Sequence, residues 1–439
     1  MIKKYFIEDV ITRVDEEVEL YGWVHNIRDH KKIIFIELRD RSGIIQVVGD
    51  ESFRDLAPED VVVIKGTIKK RPEKLFNPRM KTGKIELKAT GFTVLSKAQT
   101  LPIDMSREEL DVTLPILLDY RSLTLRHPKI AAIFKVQDAI VSAFRTICHD
   151  LGCVEIFIPT IAASSTEGGA EVFSIDYFDH KATLTQSPQL YKQMLVPVFE
   201  RVFTIAHAYR AEPSVTTRHL TESVQMDCEF GFVTFEKLLD LLELVGTSIL
   251  KTVEEQCKKE LEAYGVKKIL FGKIPRLKLS EAQDIIFKEF KRDVRGEKDM
   301  NPEDEIDICR WAAKKHNSDF VTITHFPTFK RSFYTMPDPK NPEFSLSYDL
   351  LYRGIEINSG SQRINDYQQL VDTIKNRGMN PDRFEMYLQA FKYGMPPEGG
   401  FSFGLERITK TLLGLANVRE ASLYPRDMER IDIRLSKLE

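Results

Sequence analysis

The 439-residue chain has few cysteines and no long apolar run. Its five cysteines form no Cys-x-x-Cys pair, and none has histidine neighbours at the spacing of a zinc finger. This pattern favours reduced thiols over a structural zinc site. No stretch approaches the ~20 apolar residues of a membrane span, and the N-terminal segment lacks the apolar core of a signal peptide. We therefore expect a cytoplasmic protein with no membrane contact.

The chain also has no large excess of positive or negative charge. The 63 Lys and Arg residues and the 66 Asp and Glu residues give a net charge of -3, so the chain has no global basic character. Any contact with RNA must then come from local patches. A hydrophobic content of 42% over this length is enough for more than one buried core, and we expect at least two domains.

Residues 1–100 are predicted to form a small β-barrel. Between Glu17 and Leu95 the sequence runs as five short strand-like segments, with turn formers such as Asn77-Pro78 between them. Five strands in about eighty residues is the strand count of an oligonucleotide-binding (OB) barrel. The stretch that follows is polar and contains proline, so residues 101–128 are predicted to be a linker.

Residues 129–439 are predicted to form a second domain of the α+β class. A segment from Lys129 places apolar residues at helical spacing, and Gly152 gives its stop signal. Beyond it, strand-like runs are interrupted by helical ones such as FEKLLDLLELVGTSILKTVEEQ. This arrangement predicts an antiparallel sheet with inserted helices, not an alternating parallel one.

Three segments of this domain place charged residues inside apolar, strand-like surroundings, where a buried charge needs a partner. Taken one at a time, each could be a hairpin with salt bridges or a common glycine-rich turn. The segments are YRAEPSVTTRHLTESVQMDCEF, with Arg210, Glu212, Arg218 and His219; DLLYRGIEINSGSQR, with Asp349, Glu356 and Arg363; and GMPPEGGFSFGLERI, with Arg407.

In this order and spacing the segments resemble the signature motifs of class II aminoacyl-tRNA synthetases. VEIFIPTI, with Pro159, resembles the first motif, which in that family builds the dimer interface. The run from Arg210 to Glu229 resembles the second motif, and PPEGGFSFGLERI resembles the third. With the barrel included, the resemblance covers nearly the whole chain and indicates the compact archaeal-type form of the subclass that handles aspartate, asparagine and lysine. It implies a homodimer that activates an amino acid with ATP and Mg²⁺ and loads it onto tRNA.

The resemblance assigns roles that suit phosphoryl chemistry, which needs positioning and charge neutralisation more than a nucleophile. Arg210, Glu356 and Arg407 would be the catalytic residues, with Arg210 bridging the substrate carboxylate and the α-phosphate through its planar fork. Oxygen ligands for Mg²⁺ would come from Glu356, Ser359 and Asp349. The full ATP-binding set that the resemblance implies is Arg210, Glu212, Arg218, His219, Leu220, Glu356, Gly404, Leu405, Glu406 and Arg407.

The segments EGGAEVF and TLTQSPQLYKQ resemble those of the aspartate enzymes within this subclass. Lys192 and Arg363 would hold the side-chain carboxylate of L-aspartate, whereas neutral asparagine would leave buried cations unpaired, at about 3–5 kcal/mol for one such charge. Without its neighbours, Lys192 would be read as a surface helix lysine. The aspartate-binding set that the resemblance implies is Glu167 and Asp227 for the α-ammonium group, with Gln189, Lys192, Arg210, Ser359 and Arg363.

Two positions depart from the family pattern. Glu398 stands in PPEGG where family members more often have histidine. Ser223 stands where many relatives have a phenylalanine that stacks on adenine, which shifts the stacking role to His219.

The barrel would read the anticodon of the tRNA. Phe35 and Gln46 match family positions that stack on and hydrogen-bond to the central uridine, and Arg28 would hold its backbone. Phe35 could instead be an ordinary core residue. His25 and Lys81 match positions beside the third anticodon base, which separates tRNA(Asp) from tRNA(Asn). Histidine is associated with charging of both tRNAs and lysine with strict charging, so both specificities stay open.

Three alternatives remain at this stage. An asparaginyl-tRNA synthetase would share all three motifs, although Lys192 argues against it. A synthetase-like paralogue acting without tRNA would typically have lost the barrel. A non-catalytic RNA-binding or scaffold protein would be expected to lack Arg210, Glu356 or Arg407, and all three are present.

Overall fold

The computed structural model describes residues 5–78, 80–163, 171–213 and 216–437. The chain divides into two compact units, Met1–Val112 and Thr113–Glu439. Residues 101–113 of the predicted linker contain no helix or strand, whereas residues 114–124 already form two short helices of the second unit. Glu167, which was predicted in the aspartate pocket, lies outside the described residues.

The first unit contains a closed five-stranded barrel, which confirms the predicted OB-type fold. Its side chains alternate along each strand, so that Leu20, Ile34 and Ile36 point into the barrel and are fully buried. The strands pair in the order β1-β2-β3-β5-β4, and β4 pairs back onto β1. They are β1 Glu17–His30, β2 Ile33–Arg39, β3 Ile44–Gly49, β4 Val61–Lys70 and β5 Ile85–Ser96.

The second unit combines strands and helices, as the predicted α+β class requires. Its strands are β6 Val154–Glu155, β7 Ile161–Ala162, β8 Ser174–Tyr177, β9 His180–Leu184, β10 Arg201–Tyr209, β11 Glu222–Gly231, β12 Arg276–Lys278, β13 Phe320–Thr324, β14 Pro337–Asp338, β15 Asn341–Ser345, β16 Ser347–Tyr352, β17 Ile355–Gln362 and β18 Glu398–Gly404. Its helices are α1 Leu114–Asp119, α2 Arg121–Thr124, α3 Pro128–Asp150, α4 Gln189–Met194, α5 Val196–Phe199, α6 Phe235–Gln256, α7 Lys258–Ala263, α8 Leu279–Phe290, α9 Pro302–His316, α10 Tyr367–Asn376, α11 Glu385–Lys392 and α12 Leu405–Leu413.

An eight-stranded sheet in the order β12-β13-β16-β17-β18-β11-β10-β6 forms the centre of this unit. The six strands from β13 to β10 are antiparallel, as predicted, but the outermost strands β12 and β6 each pair in parallel with their neighbour. The segment VEIFIPTI is extended only at Val154–Glu155 and again at Ile161–Ala162. Pro159 has no N–H to give to a strand ladder, which explains the interruption.

Helices α3 and α6 cover one face of the sheet. Both helices begin at residues suited to a helix start. Pro128 occupies the first turn of α3, and the Thr234 side chain accepts a hydrogen bond from the Lys237 backbone N–H at the start of α6. Their apolar faces pack with sheet residues such as Phe203 and Phe403 in one continuous core. Polar side chains that point away from this core are therefore available to form a site on the other face. No helix within the described ranges is both long and apolar enough to span a membrane.

Candidate active site

Strand β11 supplies the acidic side chains of the candidate site. Met226 and Cys228 point into the apolar core, because side chains alternate along a strand. Gln225, Asp227 and Glu229 therefore share the opposite face. Asp227 and Glu229 are almost completely removed from solvent, so each needs a positively charged or hydrogen-bonding partner.

Lys192 of α4 is the first of those partners and is completely buried. Its Nζ lies 2.7 Å from Asp227 Oδ1 and 3.1 Å from Glu229 Oε2. Burial by itself lowers the pKa of Lys192, but the two carboxylates outweigh that effect and raise its pKa above the ordinary value. Lys192 is thus a charged core residue and not a surface lysine.

Arg363, which directly follows β17, is the second partner. Its Nε and Nη2 lie 2.7 and 3.3 Å from the two carboxyl oxygens of Glu229. Further bonds run from Nη1 to Ser361 Oγ at 2.6 Å and from Nη2 to the Gly400 carbonyl at 2.9 Å. Gly400 is required here, since a Cβ at this position would lie 2.3 Å from Glu229 Oε2. The guanidinium is therefore fixed in one orientation.

A cavity of about 220 Å³ opens beside these groups, smaller than the ~300–1,000 Å³ typical of pockets for drug-sized ligands. The Gln189 amide Nε2 and the Gln225 amide Oε1 are buried and have no partner among the described residues. A buried donor and a buried acceptor in one cavity wall suit a small ligand with both an anionic and an ammonium group. The charged residues that line the cavity are Lys192, Arg210, Asp227, Lys330, Arg331 and Arg363.

The predicted ATP residues form a second, partly exposed cluster. Glu212 lies between Arg210 and His219, at 3.8 and 3.9 Å from their nitrogens. Burial lowers the pKa of His219, and the nearby arginines act in the same direction. Arg407 donates from Nη1 to Glu356 Oε1 at 3.3 Å.

Arg218 belongs to the same cluster through a residue of α9. Its Nη1 lies 2.9 Å from Glu305 Oε2. Burial raises the pKa of Glu305 to about 7, although Arg218 acts in the opposite direction. Glu356 also contributes to this rise, which places the Arg218 pair close to the Arg407 pair.

The predicted Mg²⁺ ligands lie on adjoining strands. Asp349 of β16 and Ser359 of β17 are direct register partners, and Glu356 lies three residues before Ser359. Asp349 Oδ1 is buried without a partner among the described residues, so an oxygen ligand is available. Burial and Asp349 raise the pKa of Glu356. The described chain holds no cluster of three His, Cys, Asp or Glu residues able to bind a metal. The two carboxylates and the hydroxyl are oxygen donors, the kind of ligand that Mg²⁺ takes beside phosphates and water.

Four of the predicted ATP-binding residues have none of the ion pairs described above. The Leu405 side chain lies in the apolar core, and the Glu406 carboxylate accepts hydrogen bonds from the Val224 backbone N–H at 3.1 and 3.2 Å. Burial raises the pKa of Glu406 to about 7. Both side chains are thus engaged within the protein, and the assignment of Leu405 and Glu406 to ATP binding stays a prediction. Gly404 is the residue at which β18 passes into α12, and Leu220 lies half-buried just before β11.

The barrel presents a polar surface at the predicted anticodon residues. Phe35 is half-buried and lies outside the barrel core, while its neighbours Ile34 and Ile36 fill that core. The interpretation of Phe35 as a core residue is therefore excluded. The Gln46 side chain accepts a hydrogen bond from Arg28 Nη2 at 3.4 Å and donates one to Glu86 at 2.9 Å. Arg28, Phe35 and Gln46 lie on the neighbouring strands β1, β2 and β3.

His25 and Lys81 lie in different surroundings within the barrel unit. His25 is buried, and its Nδ1 lies 3.3 Å from Arg39 Nη1. Lys81 is half-exposed and pairs with Glu8, with 2.8 Å between Nζ and Oε1.

Several residues of the site were not anticipated from the sequence. Glu229 and Gln225 could have been found, since SVQMDCEF has Asp227 at its centre and the two-residue period of a strand brings all three side chains to one face. Ser402 donates to Asp227 Oδ2 at 2.7 Å, and Arg331 donates to Asp349 Oδ2 at 2.6 Å. Their contacts join distant segments, and no local pattern in the sequence indicates them.

The antiparallel sheet with its charged face and the OB barrel together define a class II aminoacyl-tRNA synthetase. Residues 113–428 match the family of class II tRNA synthetases for D, K and N, and residues 18–95 match the OB-fold nucleic acid binding domain. The chain belongs to the class II tRNA synthetases that handle aspartate, lysine and asparagine. It is therefore a ligase that uses ATP as a substrate and tRNA as a partner.

Similar proteins narrow the group further. The chain is 39% identical to the aspartate–tRNA(Asp/Asn) ligase of Deinococcus radiodurans over 98% of this chain and 99% of that protein. It is also 39% identical to the ligase of the same name from Methanocaldococcus jannaschii, with 98% of each chain covered. Among solved structures, it is similar to asparaginyl-tRNA synthetase from Pyrococcus horikoshii bound to asparaginyl-adenylate, with a TM-score of 0.88, 30% identity and coverage of 98% of this chain and 100% of that one. Aspartyl-tRNA synthetase from Entamoeba histolytica gives a TM-score of 0.87 at 28% identity, with coverage of 98% and 93%. Because both specificities share the fold, the amino acid must be argued from the cavity.

Proposed function

We propose that the chain activates L-aspartate with ATP and Mg²⁺ and transfers the aspartyl group to both tRNA(Asp) and tRNA(Asn). The observation that carries the choice of amino acid is the charge of the cavity wall. Five cations, Lys192, Arg210, Lys330, Arg331 and Arg363, line the cavity, whereas Asp227 is the one carboxylate among its described lining residues. Aspartate carries one more negative charge than asparagine, so this wall favours aspartate.

The cavity residues can also orient such a substrate. The free Nε2 donor of Gln189 suits a carboxylate oxygen, and the free Oε1 acceptor of Gln225 suits the α-ammonium group. Lys192 and Arg363 would bind the side-chain carboxylate, and the other cations of the wall supply the positive charge beyond that balanced by Asp227 and Glu229. Asp227, predicted to hold the ammonium group, is engaged by Lys192 and Ser402, so Gln225 is the better-placed acceptor.

Arg210 has the position that the first reaction step requires. It lines the cavity and lies beside Glu212 and His219 of the ATP cluster. The aspartate α-carboxylate oxygen would form a bond with the α-phosphorus of ATP while the bond from that phosphorus to the bridging oxygen of pyrophosphate breaks. Arg210 would hold both reacting groups, and Arg218 and Arg407 would bind the phosphates and the adenine ring.

Glu356, Asp349 and Ser359 would hold Mg²⁺, which supplies positive charge to the phosphates when bound. Arg331 Nη2 pairs with Asp349 and its Nη1 lies 3.1 Å from Ser359 Oγ, so this arginine offsets the charge of Asp349. In the second step a terminal ribose hydroxyl of tRNA, the 3′ hydroxyl by the habit of the class, would attack the aspartyl carbonyl and release AMP.

Charging of both tRNAs is supported by the names of the relatives and by the barrel. Lys81, the residue associated with strict charging, is held in an ion pair with Glu8, which reduces its availability to a base. His25, associated with relaxed charging, is fixed beside Arg39. The relatives in Deinococcus radiodurans and Methanocaldococcus jannaschii are both named for tRNA(Asp/Asn).

A homodimer is supported by an exposed apolar surface beside the first motif. Phe157 is 89% exposed, Val154 and Ile161 are also exposed, and β6 is the free edge of the large sheet. Exposed apolar side chains beside an unpaired strand edge are typical of an interface between subunits. Light scattering of the wild type and of Phe157→Asp checks this: we expect a dimer for the first and a monomer for the second.

The function is tested by charging purified transcripts of tRNA(Asp) and tRNA(Asn) with labelled aspartate, beside labelled asparagine. Aspartate on both transcripts is expected. Aspartate on tRNA(Asp) alone would contradict the relaxed specificity, and asparagine-dependent charging would contradict the choice of amino acid. ATP–pyrophosphate exchange with each amino acid, with and without Mg²⁺, separates failure of activation from failure of transfer.

A further inference from the structure

Glu398 is a buried carboxyl group that the roles described above leave unassigned. It is the first residue of β18 and is completely removed from solvent. Its backbone carbonyl accepts from the Arg363 N–H at 3.0 Å, so it lies directly behind the amino-acid cavity. The side chain reaches α4, where Gln193 Nε2 donates to Oε1 at 2.7 Å.

The other carboxyl oxygen of Glu398 has no partner that an ionised carboxylate could use. Oε2 is buried and has no donor among the described residues. Its neighbour across the sheet is Glu229: Glu229 is the register partner of Gly400, two residues along β18 from Glu398, so the two side chains lie on the same face of β11 and β18. Two neighbouring buried carboxyl groups can share a hydrogen bond only when one of them carries a proton.

The surrounding charges show which of the two carboxyl groups, Glu229 or Glu398, carries the proton. Glu229 contacts Arg363 at two points and Lys192 at a third. Burial raises the pKa of Glu229, but these two cations lower it more and hold it at about 2. Burial raises the pKa of Glu398 well above its ordinary value, and Glu229 raises it further. The proton therefore belongs to Glu398.

A count of buried charges gives the same answer. Lys192 and Arg363 carry two positive charges, and Asp227 and Glu229 carry two negative charges, so these four groups are balanced. An ionised Glu398 would add a fifth, unpaired charge with no exposure to water, which is strongly unfavourable. The other titratable groups that influence Glu398 are Tyr387 of α11 and Tyr348 of β16, and burial keeps both in the neutral form by raising their pKa well above the ordinary value.

We propose that Glu398 is a positioning residue for substrate recognition: in its acid form it donates a hydrogen bond to Glu229 and thereby fixes Arg363 and Lys192 for the side-chain carboxylate of the amino acid. The inference rests on the proposed function, since it names what the cations behind the cavity are held for. Gln193 completes the arrangement, because its Oε1 accepts from the Tyr387 hydroxyl at 3.1 Å and its amide therefore turns its donor toward Glu398.

This arrangement also couples substrate binding to pH. Ionisation of Glu398 at alkaline pH removes the donor to Glu229 and places a negative charge behind Arg363. Both effects weaken the hold on an anionic side chain. Binding of aspartate should therefore decline at high pH, while binding of ATP, whose cluster contains other groups, should not follow the same profile.

The test compares the full-length wild type with Glu398→Gln, Glu398→Ala and the control Glu255→Gln, an exposed residue of α6. Glutamine keeps a neutral donor for Glu229 and an acceptor for Gln193, so the KM for aspartate in pyrophosphate exchange should stay within ~3-fold of the wild type. Alanine removes both bonds and should raise that KM ~10–100-fold, with little change in the KM for ATP. The wild-type KM for aspartate should rise at alkaline pH, and that of Glu398→Gln should stay level.

Infrared difference spectra, wild type minus Glu398→Gln, give a readout that does not depend on activity. The carbonyl band of a protonated carboxylic acid is expected at neutral pH, and its absence would overturn the inference. An unchanged KM for aspartate in Glu398→Ala, or a Glu398→Gln variant as impaired as Glu398→Ala, would also overturn it. If thermal unfolding shows that Glu398→Ala does not fold, the inference is decided by the pH dependence of the KM for aspartate in the wild type and in Glu398→Gln. A wild type without aspartate-dependent exchange would instead overturn the proposed function.

Discussion

Arg363 and Glu229 form a two-point ion pair in the interior of the second unit, with 2.7 Å between Nε and Oε1 and 3.3 Å between Nη2 and Oε2. This pair changes the explanation of substrate choice. A neutral asparagine was expected to leave Lys192 and Arg363 unpaired. However, Lys192 already pairs with Asp227 and Glu229, and Arg363 already pairs with Glu229. The preference for aspartate must therefore come from the net charge of the whole cavity wall and from the free hydrogen-bonding atoms in it.

The fork of Arg363 is expected to matter more than its charge. Arg363→Lys keeps the charge but cannot bond at once to Glu229, Ser361 and the Gly400 carbonyl. We expect kcat/KM for aspartate in pyrophosphate exchange to fall ~100-fold or more, which corresponds to about 3 kcal/mol. Arg383→Lys, an exposed arginine, is the matched control and should retain wild-type activity. Full activity of Arg363→Lys would show that charge alone suffices.

Gln225 provides a test of how the ammonium group is held. Its Oε1 is a buried acceptor without a partner among the described residues, and it lines the cavity. Gln225→Leu should raise the KM for aspartate ~10-fold and leave the KM for ATP nearly unchanged, because one hydrogen bond to a charged group is lost. Gln368→Leu on the exposed face of α10 serves as control. A larger effect on ATP than on aspartate would move Gln225 into the nucleotide site.

The barrel, the antiparallel centre of the sheet and the long helix α3 follow from patterns that are local in the sequence. Alternation predicted the five barrel strands, and helical spacing ending at Gly152 predicted a helix that the structure has at Pro128–Asp150. The parallel pairing of the edge strands β6 and β12 was not predicted, because strands of two or three residues are too short for the sequence to show how they pair.

The partners within the site could not be predicted in the same way. Gln193 and Glu398 are 205 residues apart, and Arg363 and Glu229 are 134 residues apart, so only the packed sheet reveals these contacts. Motif resemblance marked Leu405 and Glu406, but a motif gives positions and not side-chain directions. The Leu405 side chain is in fact part of the apolar core.

Substitution of Phe35 should impair tRNA recognition and leave amino-acid activation unchanged. It lies outside the barrel core and contacts His30 edge-on, with 5.4 Å between the ring centroids, so its removal should not unfold the barrel. Phe35→Ala should raise the KM for tRNA ~10-fold or more, since stacking on a base contributes about 1–3 kcal/mol. Pyrophosphate exchange without tRNA should be unchanged. Leu95→Ala, an exposed apolar residue of β5, is the control, and equal charging by Phe35→Ala and the wild type would exclude a base-stacking role.

Asp119 of α1 should contribute to stability in a pH-dependent manner. Its carboxylate binds Arg434, Arg430 and Lys437 near the end of the described chain. The hydrogen bond from Arg434, with the other cations, holds the pKa of Asp119 well below its ordinary value. A lowered pKa means that the stabilisation is present above the unfolded-state value of about 4 and is lost as the pH falls below it.

Asp119→Asn should therefore lower the free energy of unfolding at neutral pH by about 1 kcal/mol, or ~2 °C in Tm for a unit of this size, because pairs near the surface are weak even in a network. The difference from the wild type should narrow as the pH is lowered from 4 toward 2. Asp284→Asn, an exposed position on α8, should show no such dependence. Thermal unfolding across this pH range checks both, and a difference that stays constant down to pH 2 would mean that the carboxylate charge of Asp119 is not what stabilises the contact.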